Sequence, residues 1–154
     1  MIRKINGEEV NKIMKIWLDT TVEAHYFIEK EYWLEHYDSV KNSYLPNSET
    51  FVYIEENHIV GFISVVNKNY IGGLFIDIEF QGRGFGRELI EYVQEKYCDL
   101  SLAVYIDNEK AVQFYKNSGF RIMNEQRNEE TSKVEYIMKW VRGQINEKNI
   151  DVYI

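Results

Sequence analysis

Residues 74–97 read LFIDIEFQGRGFGRELIEYVQEKY, and this stretch decides the fold. Its apolar start predicts a strand over 74–78, and an apolar stripe at helical spacing predicts a helix over 84–97. Three glycines, at positions 82, 84 and 86, lie at the junction of the two predicted elements, where a plain turn would need one. Because glycine adopts backbone angles denied to other residues, such a loop can approach a ligand closely.

The glycine loop has the properties of an anion site. The first N–H groups of the helix are free, and the helix dipole adds about half a positive charge at that end. Two arginines add full charges. We therefore predict a diphosphate cradle built from Gln81, Arg83, Gly84, Phe85, Gly86 and Arg87.

Two common nucleotide-binding loops fit this stretch poorly. A P-loop is excluded because no Gly-Lys-Ser/Thr triplet follows the glycines. A dinucleotide fingerprint needs a third glycine where Arg87 stands, and hairpins precede the loop instead of a βαβ unit. A nicotinamide-dependent oxidoreductase remains an alternative, and it would be stabilised by NAD(H) and not by CoA.

Around this stretch the hydrophobic period alternates between helical and extended. The sequence predicts strands over 1–6, 51–55, 59–66, 74–78, 100–106, 120–123 and 134–141, and helices over 8–19, 26–44, 84–97 and from 107 or 108 to 118. Consecutive hairpins give antiparallel pairs, and the helix after Gly84 crosses over to make a parallel pair. The expected fold is α/β (α+β), with a mixed, mostly antiparallel sheet of about six or seven strands flanked by about four helices.

Composition bounds the function. The chain has 154 residues, 45% hydrophobic and 28% charged, which suits a single globular domain over 1–141. The segment 142–154 is an extension of unknown role: an extra strand over 150–154, a dimer contact or a loose end. A lone cysteine precludes an internal disulfide, and no Cys/His spacing predicts a metal site.

Charge and hydropathy narrow the partners. The net charge of −7 argues against nucleic acid, which needs a basic face, and fits a cationic amine better. No apolar run is long enough to predict a membrane span or a leader, so we expect a cytoplasmic protein.

Residues 108–120 read NEKAVQFYKNSGF and match the pattern Asn-x-x-Ala-x-x-Phe/Leu-Tyr-x-x-x-Gly-Phe. Preceded by the predicted strands and the loop Gln/Arg-x-x-Gly-x-Gly/Ala, this segment makes the sequence resemble the GNAT superfamily of acyl-CoA-dependent N-acetyltransferases over roughly residues 1–141. The stretches 24–28 (AHYFI) and 44–46 (YLP) are similar to its small bacterial YiaC/YjaB-like branch.

The resemblance implies direct acetyl transfer from acetyl-CoA to a primary amine. It implies that Phe75 and Ile76 lie beside the thioester, with the Ile76 N–H donating to the oxyanion. It implies that Asn108 contacts the pantetheine arm, although an asparagine there could simply cap a helix. It also implies that Tyr115 is the general acid, since a phenol is protonated at pH 7 and can donate to a thiolate.

The general base is left open by the sequence. Many family members have a Glu at the position of Ala103 or near that of Tyr70, and neither is acidic here. Asp77 and Glu79 are the nearby carboxylates. A water relay, a base from the N-terminal helices and an amine that arrives neutral remain alternatives. His25, at the junction of the first two predicted helices, is either a substrate contact or a half-buried or capping histidine.

The missing carboxylate motivates a second function class, a non-catalytic acyl-CoA-binding sensor or interaction module on the same fold. For an enzyme, the acceptor could be a protein lysine or N-terminus, a polyamine, an amino acid or a drug-like amine. A monomer and a homodimer are both compatible with the sequence.

Overall fold

The computed structural model describes residues 1–143. One sheet contains the strands β1 (Ile2–Lys4), β2 (Ser48–Glu55), β3 (His58–Val66), β4 (Tyr70–Ile76), β5 (Asp99–Tyr105), β6 (Arg121–Arg127) and β7 (Val134–Val141). Its helices are α1 (Val10–Ala24), α2 (Lys30–Ser39), α3 (Phe85–Lys96) and α4 (Glu109–Asn117). The predicted order of strands and helices is confirmed.

The strand order in the sheet is β1-β2-β3-β4-β5-β7-β6, and every neighbouring pair except β4–β5 is antiparallel. Among the described residues, the parallel pair is in register at one position, Tyr70 opposite Ser101. The Ser101 amide donates to the Asn69 carbonyl there at 2.8 Å. Beyond this point β4 and β5 separate, so the sheet has an opening between its fourth and fifth strands.

Helices cover both faces of the sheet. Because side chains alternate along each strand, each strand contributes side chains to the core on both faces. Val52 and Phe62 join the core under α1, together with Ile13 and Trp17. Alternate positions such as Phe51 point to the larger core under α3 and α4. The protein therefore has three layers: α1 and α2, then the sheet, then α3 and α4.

Several element boundaries differ from the sequence prediction. Helix α1 continues to Ala24, and within it the Thr20 hydroxyl donates to the Ile16 carbonyl at 2.6 Å, which leaves this polar side chain with a partner inside the helix. The predicted helix over 26–44 is shorter: α2 begins at Lys30 and is followed by a π-helical turn and a 3₁₀ turn containing Pro46. Strand β6 extends to 127 even though it is mostly polar, since it is the exposed edge of the sheet.

Strand β4 begins four residues before the predicted run and contains a β-bulge. Ser64 lies opposite Gly73 and Val65 lies opposite Ile71, which leaves Gly72 as the extra residue. The Tyr44 hydroxyl occupies the place where a side chain on Gly72 would begin. Glycine is required at this position because the Tyr44 ring packs directly against the backbone.

We expect Gly72→Ala to lower the free energy of unfolding by about 1–3 kcal/mol, the usual cost of overpacking. The added methyl group must displace the Tyr44 hydroxyl, which is buried. Urea denaturation checks this, with Gly7→Ala as the control because no atom lies within 4 Å of a methyl group there. Adding Tyr44→Phe to Gly72→Ala should recover part of the loss; equal stability of Gly72→Ala and wild type would contradict the steric account.

The C-terminal end of α3 is capped from outside the helix. The Arg142 guanidinium donates to the carbonyls of Gln94 and Tyr97, each at 3.0 Å. These carbonyls have no partner within the helix, and a cation at this end also complements the helix dipole. Residues 144–154 lie outside the described part of the chain, and with them the segment 150–154, for which an extra strand is one of the alternatives. Within residues 1–143, no helix is long and apolar enough to cross a membrane.

Candidate active site

A cavity of ≈ 850 Å³ lies where β4 and β5 separate. Its wall includes His25 and Phe75 from the α1/α2 side of the sheet, and Ile76, Phe85 and Tyr115 from the α3/α4 side. Elements from both helix layers therefore line the cavity at the end of β4. We call the part lined by the glycine loop and α3 the α3/α4 mouth, and the part lined by the end of α1 the α1/α2 mouth.

The glycine loop forms the α3/α4 mouth. Gly82 and Gly84 have φ values of 78° and 87°, in the left-handed region, and no atom lies within 4 Å in front of either Cα. The first helical hydrogen bond of α3 runs from the Glu88 amide to the Gly84 carbonyl at 3.1 Å. The amides of 84–87 are therefore left at the open end of the helix, as an anion site requires.

The flanking polar side chains have distinct positions. Arg87 lines the cavity and pairs with Glu91, Nε to Oε1, at 3.1 Å. Arg83 is not part of the lining; its guanidinium lies over the rings of Phe80 and Phe85, 5.5 and 5.1 Å from their centroids. The Gln81 side-chain amide donates to the Ile76 carbonyl at 2.9 Å and ties the loop to the end of β4.

The direction of the Ile76 amide follows from its neighbour. The Asp77 amide donates to Val60 on β3 at 2.8 Å. Because successive residues of a strand direct their N–H groups to opposite edges, the Ile76 N–H points into the opening between β4 and β5. The edge of β4 thus offers the cavity an amide donor next to the glycine loop.

Tyr115 lies on α4 with only 8% of its surface exposed, packed edge-on against Phe114 and Phe120. Its ring lines the cavity, and its hydroxyl forms no hydrogen bond with any residue of the described range. Burial raises the pKa of the Tyr115 phenol well above its usual value of 10.0, because the charged form would be desolvated. The phenol therefore keeps its proton throughout the neutral range.

Asn108 joins α4 to the other side of the cavity. Its Oδ1 accepts from the Ala111 amide at 3.4 Å, which caps the helix as the sequence predicts. Its Nδ2 lies 3.5 Å from His25 Nε2, a contact between residues 83 positions apart. The cap and the contact use different atoms, so Asn108 does both.

His25 ends α1 in a fixed orientation. The Thr21 carbonyl accepts from the His25 backbone amide at 3.1 Å and contacts His25 Nδ1 at 2.9 Å. Because a carbonyl only accepts, Nδ1 carries the hydrogen and Nε2 has the lone pair. Trp33, Phe27 and Tyr105 surround the ring, with centroids 5.0, 5.7 and 5.4 Å away. Burial lowers the pKa of His25 below 6.5, so the ring is neutral at pH 7.

The structure brings together the predicted residues His25, Phe75, Ile76, Gln81, Gly84, Phe85, Gly86, Arg87, Asn108 and Tyr115 around one cavity. Sequence reasoning did not single out the other polar wall residues, which are Thr20, Thr21, Glu23, Asp107, Glu109 and Lys110. If the first helix had been predicted to extend to residue 24, Thr20, Thr21 and Glu23 would have been placed on it, close to His25. The carboxylates of Asp77 and Glu79 are not in the lining, and Asp77 Oδ1 instead accepts from the Glu79 amide at 3.1 Å.

Comparison with known proteins identifies the family of this chain. The family model for the acetyltransferase (GNAT) domain matches residues 18–139. The chain belongs to the GNAT family. This GNAT chain is 33% identical over 140 residues to the peptidyl-lysine N-acetyltransferase YiaC of Escherichia coli K12, covering 91% of this chain and 96% of YiaC. It is 34% identical over 122 residues to YjaB of the same organism, covering 79% and 82% of the two chains.

Solved structures agree with the GNAT assignment. The solution structure of apo YjaB from Escherichia coli superposes with a TM-score of 0.79 at 29% identity, covering 92% of this chain and 97% of that one. The Vibrio cholerae spermidine N-acetyltransferase in complex with CoA and spermine has the same fold, with a TM-score of 0.66 at 18% identity and 92% and 95% coverage. The predicted family, fold and enzyme class are confirmed: this GNAT protein is an acetyl-CoA-dependent N-acetyltransferase.

Proposed function

We propose that this enzyme acetylates lysine side chains of proteins or peptides, with acetyl-CoA held at the α3/α4 mouth and the amine entering from the α1/α2 mouth. The observation that carries the proposal is the cavity at the end of β4, which is lined by the glycine loop with the first amides of α3 on one side and by the exposed Glu23 of α1 on the other. The relatives named peptidyl-lysine N-acetyltransferases, which match most of this chain, support lysine as the acceptor.

The residues present fit acetyl-CoA. The open space before Gly82 and Gly84 leaves the helix amides accessible, and the cavity volume lies within the range typical of small-molecule sites. The amides of 84–87 and the Arg87 guanidinium would hold the diphosphate, and the free edge of β4 would hold the pantetheine arm together with Asn108. Arg83 lies beside this mouth, and its predicted phosphate contact remains a prediction.

Acetyl-CoA supplies the acetyl group as a thioester, an acyl donor with a thiolate leaving group. In this proposal the Ile76 N–H donates to the carbonyl oxygen as negative charge develops on it. Phe75 lies on the other face of β4 and shields the opening from water. The Tyr115 hydroxyl gives its proton to the leaving sulfur, and its raised pKa means that the phenol still carries that proton when the step begins.

Acetylation of a peptide with a blocked N-terminus and one central lysine tests the acceptor class. Mass spectrometry should find Nε-acetyl-lysine that depends on both enzyme and acetyl-CoA. A matched peptide with a free N-terminus and no lysine, and the polyamine spermidine, test the alternatives. Turnover of spermidine or the N-terminal amine alone would overturn the lysine proposal. The cytoplasmic location and the choice between monomer and homodimer remain predictions.

The α1/α2 mouth should attract a cationic side chain. Glu23 is exposed on the last turn of α1 and lines the cavity. We expect Glu23→Gln to raise the KM for a lysine peptide about two- to fivefold at low salt, since exposed charge interactions are worth up to about 1 kcal/mol. The difference should shrink at high ionic strength because salt screens such charges.

Glu125→Gln is the matched control for Glu23→Gln. Glu125 is exposed on the edge strand β6 and does not line the cavity. Both variants change the net charge equally, so a general charge effect would raise both KM values alike. Equal KM values for Glu23→Gln and wild type at low salt would remove Glu23 from the acceptor site.

A further inference from the structure

We propose that His25 Nε2 accepts the proton that the attacking amine loses, and that Asn108 and Thr21 position the imidazole for this step. The inference rests on the proposed function and assigns the general base that the sequence leaves open. Three observations support it: the direction of the lone pair, the position of His25 in the cavity wall, and the absence of acidic side chains from β4 and from residues 100–105 of β5.

Contacts around His25 set the direction of its lone pair. Thr21 holds Nδ1–H at 2.9 Å from its carbonyl oxygen, and the rings of Phe27, Trp33 and Tyr105 pack around the imidazole. At 3.5 Å, the Asn108 contact is at the limit of hydrogen bonding. Asn108 therefore orients Nε2 without fully using its lone pair, which remains available to an incoming N–H group.

The other candidates are less suitable. Strand β4 and residues 100–105 of β5 carry no acidic side chain, so the two strands beside the opening offer no carboxylate there. The wall carboxylates are exposed, so water competes for their charge and no described contact fixes their direction. The titratable or charged groups on elements packed around the imidazole are Glu23 on α1, Tyr32 on α2, Tyr105 on β5, and Asp107, Glu109 and Lys110 around the start of α4.

The step balances as a direct transfer. The amine nitrogen forms a bond to the carbonyl carbon, and the carbon–sulfur bond breaks. The proton leaves nitrogen for His25 Nε2, and Tyr115 gives a proton to sulfur. Solvent then takes one proton from the imidazolium and returns one to the phenolate, which restores both residues. A neutral imidazole is too weak a base for a lysine ammonium of pKa near 10.4, but it suits the far more acidic N–H of nitrogen already bonded to the carbonyl carbon. The amine must therefore enter unprotonated.

A base at His25 and an amine that enters unprotonated together predict a specific pH profile. In wild type, log kcat/KM should rise with a slope of about two below the pKa of His25 and about one above it, up to the pKa of the amine. His25→Gln cannot accept the proton, so its slope should be about one throughout and its kcat about 10²–10⁴-fold lower. His58→Gln, at the exposed start of β3, is the control and should retain the wild-type profile.

Two further measurements distinguish a catalytic role from a structural one. Free imidazole should restore activity to His25→Ala in proportion to its concentration. In the coenzyme-free wild-type protein, nitrogen-15 NMR should find the hydrogen of His25 on Nδ1, which is independent of activity and of any variant's folding. A hydrogen on Nε2, or a slope of about two retained in His25→Gln, would overturn the assignment. Absence of lysine-peptide turnover by wild type would instead overturn the proposed function.

Discussion

Replacing Tyr115 with phenylalanine should lower kcat by about 10²–10⁴-fold, the range that general acid catalysis contributes. The ring is buried between Phe114 and Phe120, and phenylalanine keeps that packing. The hydroxyl makes no hydrogen bond with any residue in 1–143, so its removal leaves no described partner unsatisfied. The loss should therefore fall on the proton given to the departing sulfur and not on stability.

Steady-state kinetics together with calorimetric titration of CoA checks this expectation. CoA affinity should stay within about twofold of wild type, because the ring still lines the cavity. Tyr92→Phe is the control, since Tyr92 lies on α3 against Phe51 and outside the cavity lining. A Tyr115→Phe enzyme as fast as wild type would remove the acid assignment. Because burial raises the pKa of Tyr115, its ionisation should cause no fall in wild-type rate below pH 10.

Replacing Gly84 with alanine should weaken CoA binding by about tenfold or more, which corresponds to 1.4 kcal/mol. The new methyl group would project into the open space in front of the α3 amides, where the diphosphate is expected. Gly84 also has a φ of 87°, which side chains rarely adopt, so the variant should lose about 1–2 kcal/mol of stability as well.

Gly143→Ala separates these two effects. Gly143 has a φ of 74°, and likewise no atom lies within 4 Å of its added methyl group, but it does not line the cavity. Both variants should show a similar drop in the midpoint of thermal unfolding, and Gly84→Ala alone should show weaker binding in a calorimetric titration. Equal CoA affinity in the two variants would mean that the glycine loop does not hold the coenzyme.

The parts of the site that the sequence predicts are local in the chain. The glycine loop is recognisable because the strand, the glycines and the helix are consecutive in the chain. Asn108 and Tyr115 belong to one local segment, α4 with its N-cap, and its resemblance to the GNAT pattern implies both together. The alternating and helical periods likewise predict the order of strands and helices, since each depends on near neighbours.

The parts that the sequence does not predict depend on residues distant in the chain. The contact between Asn108 and His25 spans 83 residues and exists only because the end of α1 faces the start of α4 across the opening. The need for glycine at position 72 comes from the Tyr44 hydroxyl, which packs against it from a distant part of the chain. Strand β6 is polar, and its intrinsic propensity alone does not predict a strand. It is extended because it pairs with β7 along the edge of the sheet.

The single register pair between β4 and β5 also bears on how the sheet is held together. Main-chain pairing across this line is confined to the neighbourhood of Asn69 and Ser101, and elsewhere the two halves of the sheet are joined by side chains of the core under α3 and α4. A coenzyme bound along the free edge of β4 would add contacts across this line. We therefore expect saturation with CoA to slow amide exchange in both halves of the sheet, since binding to the folded state stabilises it.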